Sequence, residues 1–219
     1  MLSTFCDDRF TDKNTTHSYI EVYEALFSKK RETATHVLEI GIGPYAPNGG
    51  SIKMWAGYFP HAQIHTADVI NIDAVNPDLI DHPRIYLHTS NNAYNKSFVT
   101  NTFSSKGMKF DILVDDGPHT LESMCQFLAL YLPMLKDDGI LVIEDVQNMD
   151  WLDILKACTP EEHKAFIQTY DRRAVKGRYD DIMFVIDRSA LQGSVGASGV
   201  NQQQAIHAYS VLANAVLDG

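Results

Sequence analysis

The sequence predicts an α/β domain built on a mostly parallel sheet with helices on both faces. Three observations carry this. Short apolar runs bounded by turn residues alternate with segments of helical period. The runs ending near Glu39, Asp68, Asp115 and Glu144 each stop at an acid. A late pair of runs, Phe166–Tyr170 and Ile182–Ile186, reads as a closing hairpin around Lys176-Gly177-Arg178. Buried strands that stop at carboxylates are costly unless the acids work at the surface of a site.

In chain order, residues 1–10 show no pattern, and Thr11 to Ser18 is polar and turn-prone. Tyr19, Val22, Tyr23, Leu26 and Phe27 fall at helical spacing. Asp12, Lys13 and His17 read either as a solvated helix entry or as part of a lid over a ligand. His36 to Ile40 is the first strand, followed by Gly41-Ile42-Gly43 and a helix over 51–59. Gly41-x-Gly43-x-x-Ala46 also fits a dinucleotide-binding pattern, but Pro44 and Pro47 interrupt the stretch where that helix would already run. Strands are expected at 64–68, 84–88, 110–115 and 140–143, and helices at 95–103, 121–135 and 151–158. Residues 70–81 read as a loop or short helix, and 136–139 as a solvated turn.

The domain is expected to span 1–190, with 1–30 as a helical lid. Gln192 to Gly199 reads as a Gly/Ser linker, and Asn201 to Leu217 as a terminal helix whose apolar face invites a homodimer.

Composition narrows the function classes. At 219 residues one domain is the default. The net charge of -10, with no run of Lys or Arg, argues against nucleic acid as partner. Cys6, Cys125 and Cys158 are widely spaced and form no CxxC pair, so they read as reduced thiols. No stretch reaches the ~18 apolar residues of a membrane span, and the N-terminus lacks an apolar signal core. A cytoplasmic protein without a membrane partner is the expectation.

The chemistry concentrates in Phe110 to His119, where an apolar run stops at Asp115-Asp116-Gly117-Pro118-His119. The next run stops at Glu144-Asp145. Ligands of parallel sheets bind outside the carboxyl ends of the strands. If these two strands are neighbours, Asp115 or Asp116 meets His119, Glu144 and Asp145 at one edge. Carboxylates collected there need a cation, and the residue types fit a divalent ion with a histidine base beside it. The acid Asp68, ending the second strand, suits ribose hydroxyls.

With these residues in view, the chain resembles the class I S-adenosylmethionine-dependent methyltransferases. Within them it resembles the metal-dependent O-methyltransferases of macrolide sugars. Four stretches carry the likeness: Thr11-Asp12-Lys13 with His17-Ser18-Tyr19; Val37 to Gly43; Asp115 to His119; and Ile143-Glu144-Asp145. The resemblance implies a Rossmann-like, seven-stranded sheet with an antiparallel last strand. It assigns Glu39, Gly41 and Gly43 to the methionine end of the cofactor and Asp68 to its ribose. Asp115, Lys13 and Tyr19 join the cofactor side, while Asp116, Glu144 and Asp145 would bind magnesium. His119 would act as base beside Asp116. One departure stands out: Ser90-Asn91-Asn92 replaces the acidic segment that relatives carry near the adenine. The N-terminal region is also shorter than the extra domain of some macrolide enzymes, so the acceptor is not carried over. The expected function is methyl transfer to a hydroxyl of a small molecule, a sugar or natural product. The alternatives are a fold relative that binds cofactor or nucleotide without turnover, and a hydroxylase-like relative. Asn148, Asp150 and Trp151 are candidates for the acceptor pocket, whereas Asp180 and Asp181 read only as hairpin.

Overall fold

A computed structural model describes residues 1–43 and 48–190. The expected linker and terminal helix, with the dimer contact inferred from it, lie outside the described residues, as do Pro44, Ala46 and Pro47.

Strands β1 (His36–Ile40), β2 (Gln63–Ala67), β3 (Ile85–His88), β4 (Phe110–Asp115), β5 (Leu135–Ile143), β6 (Ile167–Asp171) and β7 (Ile182–Asp187) form one sheet. Their order is β3-β2-β1-β4-β5-β7-β6. All neighbours from β3 to β5 pair in parallel, and β7 runs antiparallel to both β5 and β6. The seven strands with a reversed last strand agree with the expected architecture.

Eight helices are described: α1 (Ile20–Phe27), α2 (Gly50–Tyr58), α3 (Pro77–Ile80), α4 (Lys96–Thr102), α5 (Leu121–Tyr131), α6 (Met149–Cys158), α7 (Glu161–Lys164) and α8 (Arg173–Lys176). None is long and apolar enough to cross a membrane. The strands alternate their side chains between two cores, as a period of two requires. Val37, Ile64, Ile112, Val114, Val142 and Val185 face α1 and α2. Leu38, Ile40, Leu113, Leu141, Ile143 and Phe184 face α5 and α6.

Two boundaries differ from the sequence reading. The helix expected over 121–135 stops at Tyr131, because Pro133 has no N–H to continue it. The turn expected at 136–139 is instead the start of β5, which pairs Leu135 with Phe110 before the register shifts. Lys136 there reaches the buried Asp111 at 2.8 Å, and Asp111 also accepts the Thr35 and His36 amides, fastening β4 to the entry of β1. The cysteines are free, but the fold brings the Sγ atoms of Cys125 and Cys158 to 3.3 Å, a proximity their sequence spacing hides.

Candidate active site

Register places the acids. Asp115 of β4 lies opposite Ile143 of β5, and the Glu144 amide donates to the Asp115 carbonyl at 3.1 Å. Asp116, Glu144 and Asp145 therefore leave the sheet side by side. The next strand over, β1, delivers the glycine loop to the same edge. Gly41 has φ +104°, and a Cβ there would stand 2.1 Å from the Asp116 carbonyl oxygen, so only glycine lets the loop pack against the acid turn. His119 and Asp145 hold left-handed backbones at φ 52° and 54°. Non-glycine residues persist in that region when their surroundings fix them, and they cluster at functional sites.

Each acid has a distinct set of partners. Asp116 Oδ2 accepts from the Lys13 ammonium at 2.8 Å, and its Oδ1 stands 3.8 Å from His119 Nε2. Glu144 is buried, with one oxygen taking the Tyr23 hydroxyl and the other the Lys13 ammonium. Asp145 Oδ1 accepts from Tyr19 at 2.6 Å and lies 3.2 Å from His17 Nδ1, while Oδ2 faces His119 Nε2 at 3.5 Å. Two groupings result: Asp116, His119 and Asp145 toward the open side, and Glu39, Asp116 and Glu144 around Lys13.

The charges respond to this crowding. Burial pushes Glu144 well above the usual carboxylate range; Lys13 opposes that shift, while Asp116 and Asp145 add to it. Burial and the Asp116 charge raise Asp145. Burial also raises Asp116, but Lys13 and His119 outweigh it and hold that carboxyl below its ordinary value. Burial lifts Asp115 to about 7, against the hydrogen bond it accepts from the Tyr94 hydroxyl. A cluster of acids pushed apart in this way is what a bound cation relieves.

Two cavities flank the acids. One, of about 610 Å³, runs past Gly41, Gly43, Asp68, Asn91, Tyr94 and Asp116. The other, of about 480 Å³, is lined by Thr11, Asp12, Asn48, Asp116, His119 and Asp145, among others. Gly41, Gly43 and Asp116 belong to both or border both.

Of the expected site residues, the structure brings Asp116, His119, Glu144 and Asp145 together, and sets Gly41, Gly43 and Asp68 along the first cavity. Asp68 spends its carboxylate on the Ile42, Gly43 and Ile70 amides, shaping the glycine loop it faces. Glu39, Asp115, Lys13 and Tyr19 line neither cavity. Glu39 is wholly buried between Trp55 Nε1 at 2.6 Å and Lys13 at 3.2 Å. Asn148 caps α6 by accepting from the Asp150 amide, and Trp151 packs on the second core.

Sequence reasoning missed several supports. Asp181 is fully buried and binds Ser18 through both oxygens, with His17 Nδ1 at 3.2 Å. Lys176 donates to the carbonyls of Asn14, Thr15 and His17. Tyr23 and Trp55 read as core aromatics. The one available signal was a polar atom on an inward-facing ring, which needs a partner when buried.

No protein-family model matches the chain. The Streptomyces olivaceus 8-demethyl-8-alpha-L-rhamnosyl tetracenomycin-C 2'-O-methyltransferase is 29% identical over 144 residues, 64% of this chain and 36% of that protein. The Micromonospora griseorubida mycinamicin VI 2''-O-methyltransferase is 28% identical over 149 residues, 67% of this chain and 36% of that protein. The chain thus spans about a third of the length of these curated relatives. Among solved structures, the MycE methyltransferase from the mycinamycin pathway, in complex with Mg, SAH and mycinamycin VI, superposes with a TM-score of 0.66. That match has 23% identity and covers 95% of this chain and 59% of that one. The chain has the class I methyltransferase fold. In this fold the glycine loop after β1 and the acid turns after β4 and β5 share the carboxyl edge of the sheet, where ligands of open α/β sheets bind.

Proposed function

We propose that the chain is an S-adenosylmethionine-dependent, divalent-metal-dependent O-methyltransferase acting on a hydroxyl of a small molecule, a sugar or natural product. One observation carries the reading: an acid cluster with a histidine opens where two cavities meet, and Gly41, Gly43 and Asp116 line both.

The residues fit both groups. Hard carboxylate oxygens with room on one side suit magnesium or a similar ion. The first cavity, walled by the Gly41 and Gly43 backbone and bordered by the acid Asp68, suits a ligand with a charged amino-acid end and a ribose. When bound, the cofactor supplies a methyl group on a positively charged sulfur, and the ion supplies a Lewis acid that makes an acceptor hydroxyl easier to deprotonate.

The chain's own residues do the rest. Gly41 and Gly43 admit the cofactor's methionine end against the backbone. Asp116 and Asp145, with His119 beside them, would hold the ion, and Glu144, whose two oxygens take Tyr23 and Lys13, would back them. His119 Nε2, on the wall of the second cavity, takes the acceptor's proton. Tyr19, His17 and Tyr23 fix the carboxylates from behind, so the groups that would meet the acceptor are set before it binds. The polar walls of the second cavity, with Thr11, Asp12, Asn48 and Ser51, suit a hydroxyl-rich acceptor. The named activities of the relatives on sugar-bearing natural products support the same class.

Calorimetry with S-adenosylhomocysteine tests the reading, followed by a methyl-transfer screen of glycosides with and without Mg2+. Binding of the product analogue and metal-dependent transfer are expected. Tight NADH binding, or analogue binding with no metal-dependent transfer to any hydroxyl, would contradict it.

A further inference from the structure

The Lys13 side chain is 1% exposed, yet it carries a full charge into the centre of the acid cluster. An ammonium has three protons to donate. Here three carboxylates surround it: Asp116 accepts from it at 2.8 Å and Glu144 accepts beside it, while Glu39 Oε1 stands 3.2 Å away as an ion pair without a hydrogen bond. They come from the ends of three neighbouring strands, β1, β4 and β5. The far oxygens of the two buried acids are tied down in turn, Glu39 by Trp55 and Glu144 by Tyr23. Asp116 alone turns its second oxygen outward, toward His119.

We propose that Lys13 is a resident cation that positions the acids, standing behind Asp116 and Glu144 while a divalent ion would bind on the open side, at Asp116 and Asp145 with His119 beside them. The proposal rests on the metal-dependent reading above and gives that site a charge plan. Glu39, Asp116, Glu144 and Asp145 contribute four negative charges when ionised, and Lys13 returns one. The ammonium thus offsets one of these charges and ties Asp116 to Glu144 with no ion present. Lys13 also sits two residues after Thr11 and four before His17, in the segment that Lys176 and Asp181 clamp to the β6–β7 hairpin, so its place does not depend on a free side chain.

The test is a charge-compensation cycle on the full chain, read by thermal melting. Lys13→Met should lower the melting temperature by about 10 °C, because removing one partner strands buried charges. Adding Glu144→Gln to that variant should recover part of the loss. Saturating Mn2+ should raise the melting temperature of Lys13→Met by more degrees than it raises wild type, since the ion then also replaces the missing charge. An unchanged melt in Lys13→Met, an additive loss in the double variant, or an equal Mn2+ shift in both proteins would each overturn the proposal. Should Lys13→Met fail to fold alone, a folded Lys13→Met/Glu144→Gln chain supports the cycle, and an unfolded one overturns it. The two-variant arm needs no ligand. A wild type that binds neither Mn2+ nor S-adenosylhomocysteine would sink the functional reading instead, and leave the cycle to be judged by itself.

Discussion

Asp181 Oδ1 lies 3.2 Å from His17 Nδ1, and the pair joins the loop before α1 to the start of β7, across more than 160 positions of chain. His17 stands at the same distance from Asp145. The acid turn after β5 and the hairpin at the sheet edge are thus read by one imidazole. The N-terminal segment is part of the site's frame through this contact.

Removing that anchor should loosen the frame. Asp181→Ala leaves the Ser18 hydroxyl and His17 without their buried partner. The expected cost is roughly 2–4 kcal/mol, with Asp181→Asn losing less. Urea midpoints at constant slope measure it, and a variant as stable as wild type would refute the anchoring role.

Gly41 fixes a second relationship. Its φ of +104° and the Asp116 carbonyl at 2.1 Å from a would-be Cβ leave no room for alanine. Gly41→Ala should cost about 2 kcal/mol or more and weaken S-adenosylhomocysteine binding, because the loop can relieve the clash only by moving off the acid turn. Calorimetry and urea melts on the same preparation give both numbers. Unchanged affinity would separate the loop from the cofactor.

His119→Ala should slow the chemical step by ~10²–10⁴ while leaving S-adenosylhomocysteine affinity within a factor of about three. The imidazole lines the second cavity and not the one that runs past Asp68, Asn91 and Tyr94, so its loss is expected to fall on transfer and not on cofactor binding. Single-turnover kinetics read the step, and a wild-type rate would exclude it as the base.

The histidines stacked across β1, β2 and β3 give a pH dependence of their own. Burial, reinforced by His88 and His36, depresses His65 to about 3. The unfolded imidazole titrates near 6.5. Between those values only the unfolded chain takes the proton, so this stability is complete above pH 6.5 and is lost as the pH falls toward 3. The slope is at most ~1.4 kcal/mol per pH unit from this group. His65→Phe, packing among Tyr86, Phe103 and Phe110, should flatten the loss between pH 7 and 5. Equal slopes in both proteins would assign the acid sensitivity to other groups.

Much of this was legible in the sequence, for a physical reason. Parallel strands pair in register, so an acid just past one apolar run and an acid pair just past the next must emerge together if the runs are neighbours. The pattern thus brings Asp115 or Asp116 to Glu144 and Asp145, and the resemblance singles out Asp116. The glycine pattern survived because Gly41 is required by a backbone clash that no side chain could fill. Lys13 was different. Outside a fold it is a polar residue at a helix entry, and only the convergence of β1, β4 and β5 makes it the partner of Glu39, Asp116 and Glu144. Asp181 reads only as hairpin because its partners, His17 and Ser18, lie at the other end of the chain and share no local pattern with it. The helix end at Tyr131 was marked by Pro133, and the apolar spacing through Leu135 masked that signal.

The central claim is that Asp116 and Asp145, backed by Glu144, hold a divalent ion beside the cofactor's methyl group. The most direct measurement is a crystal of the protein grown with Mn2+ and S-adenosylhomocysteine, recorded above the manganese absorption edge. The account expects one anomalous peak in contact with Asp116 and Asp145, next to the ligand's sulfur, that vanishes in Asp116→Asn. Bound ligand with no peak at these acids, or a peak that survives Asp116→Asn unchanged, would contradict it.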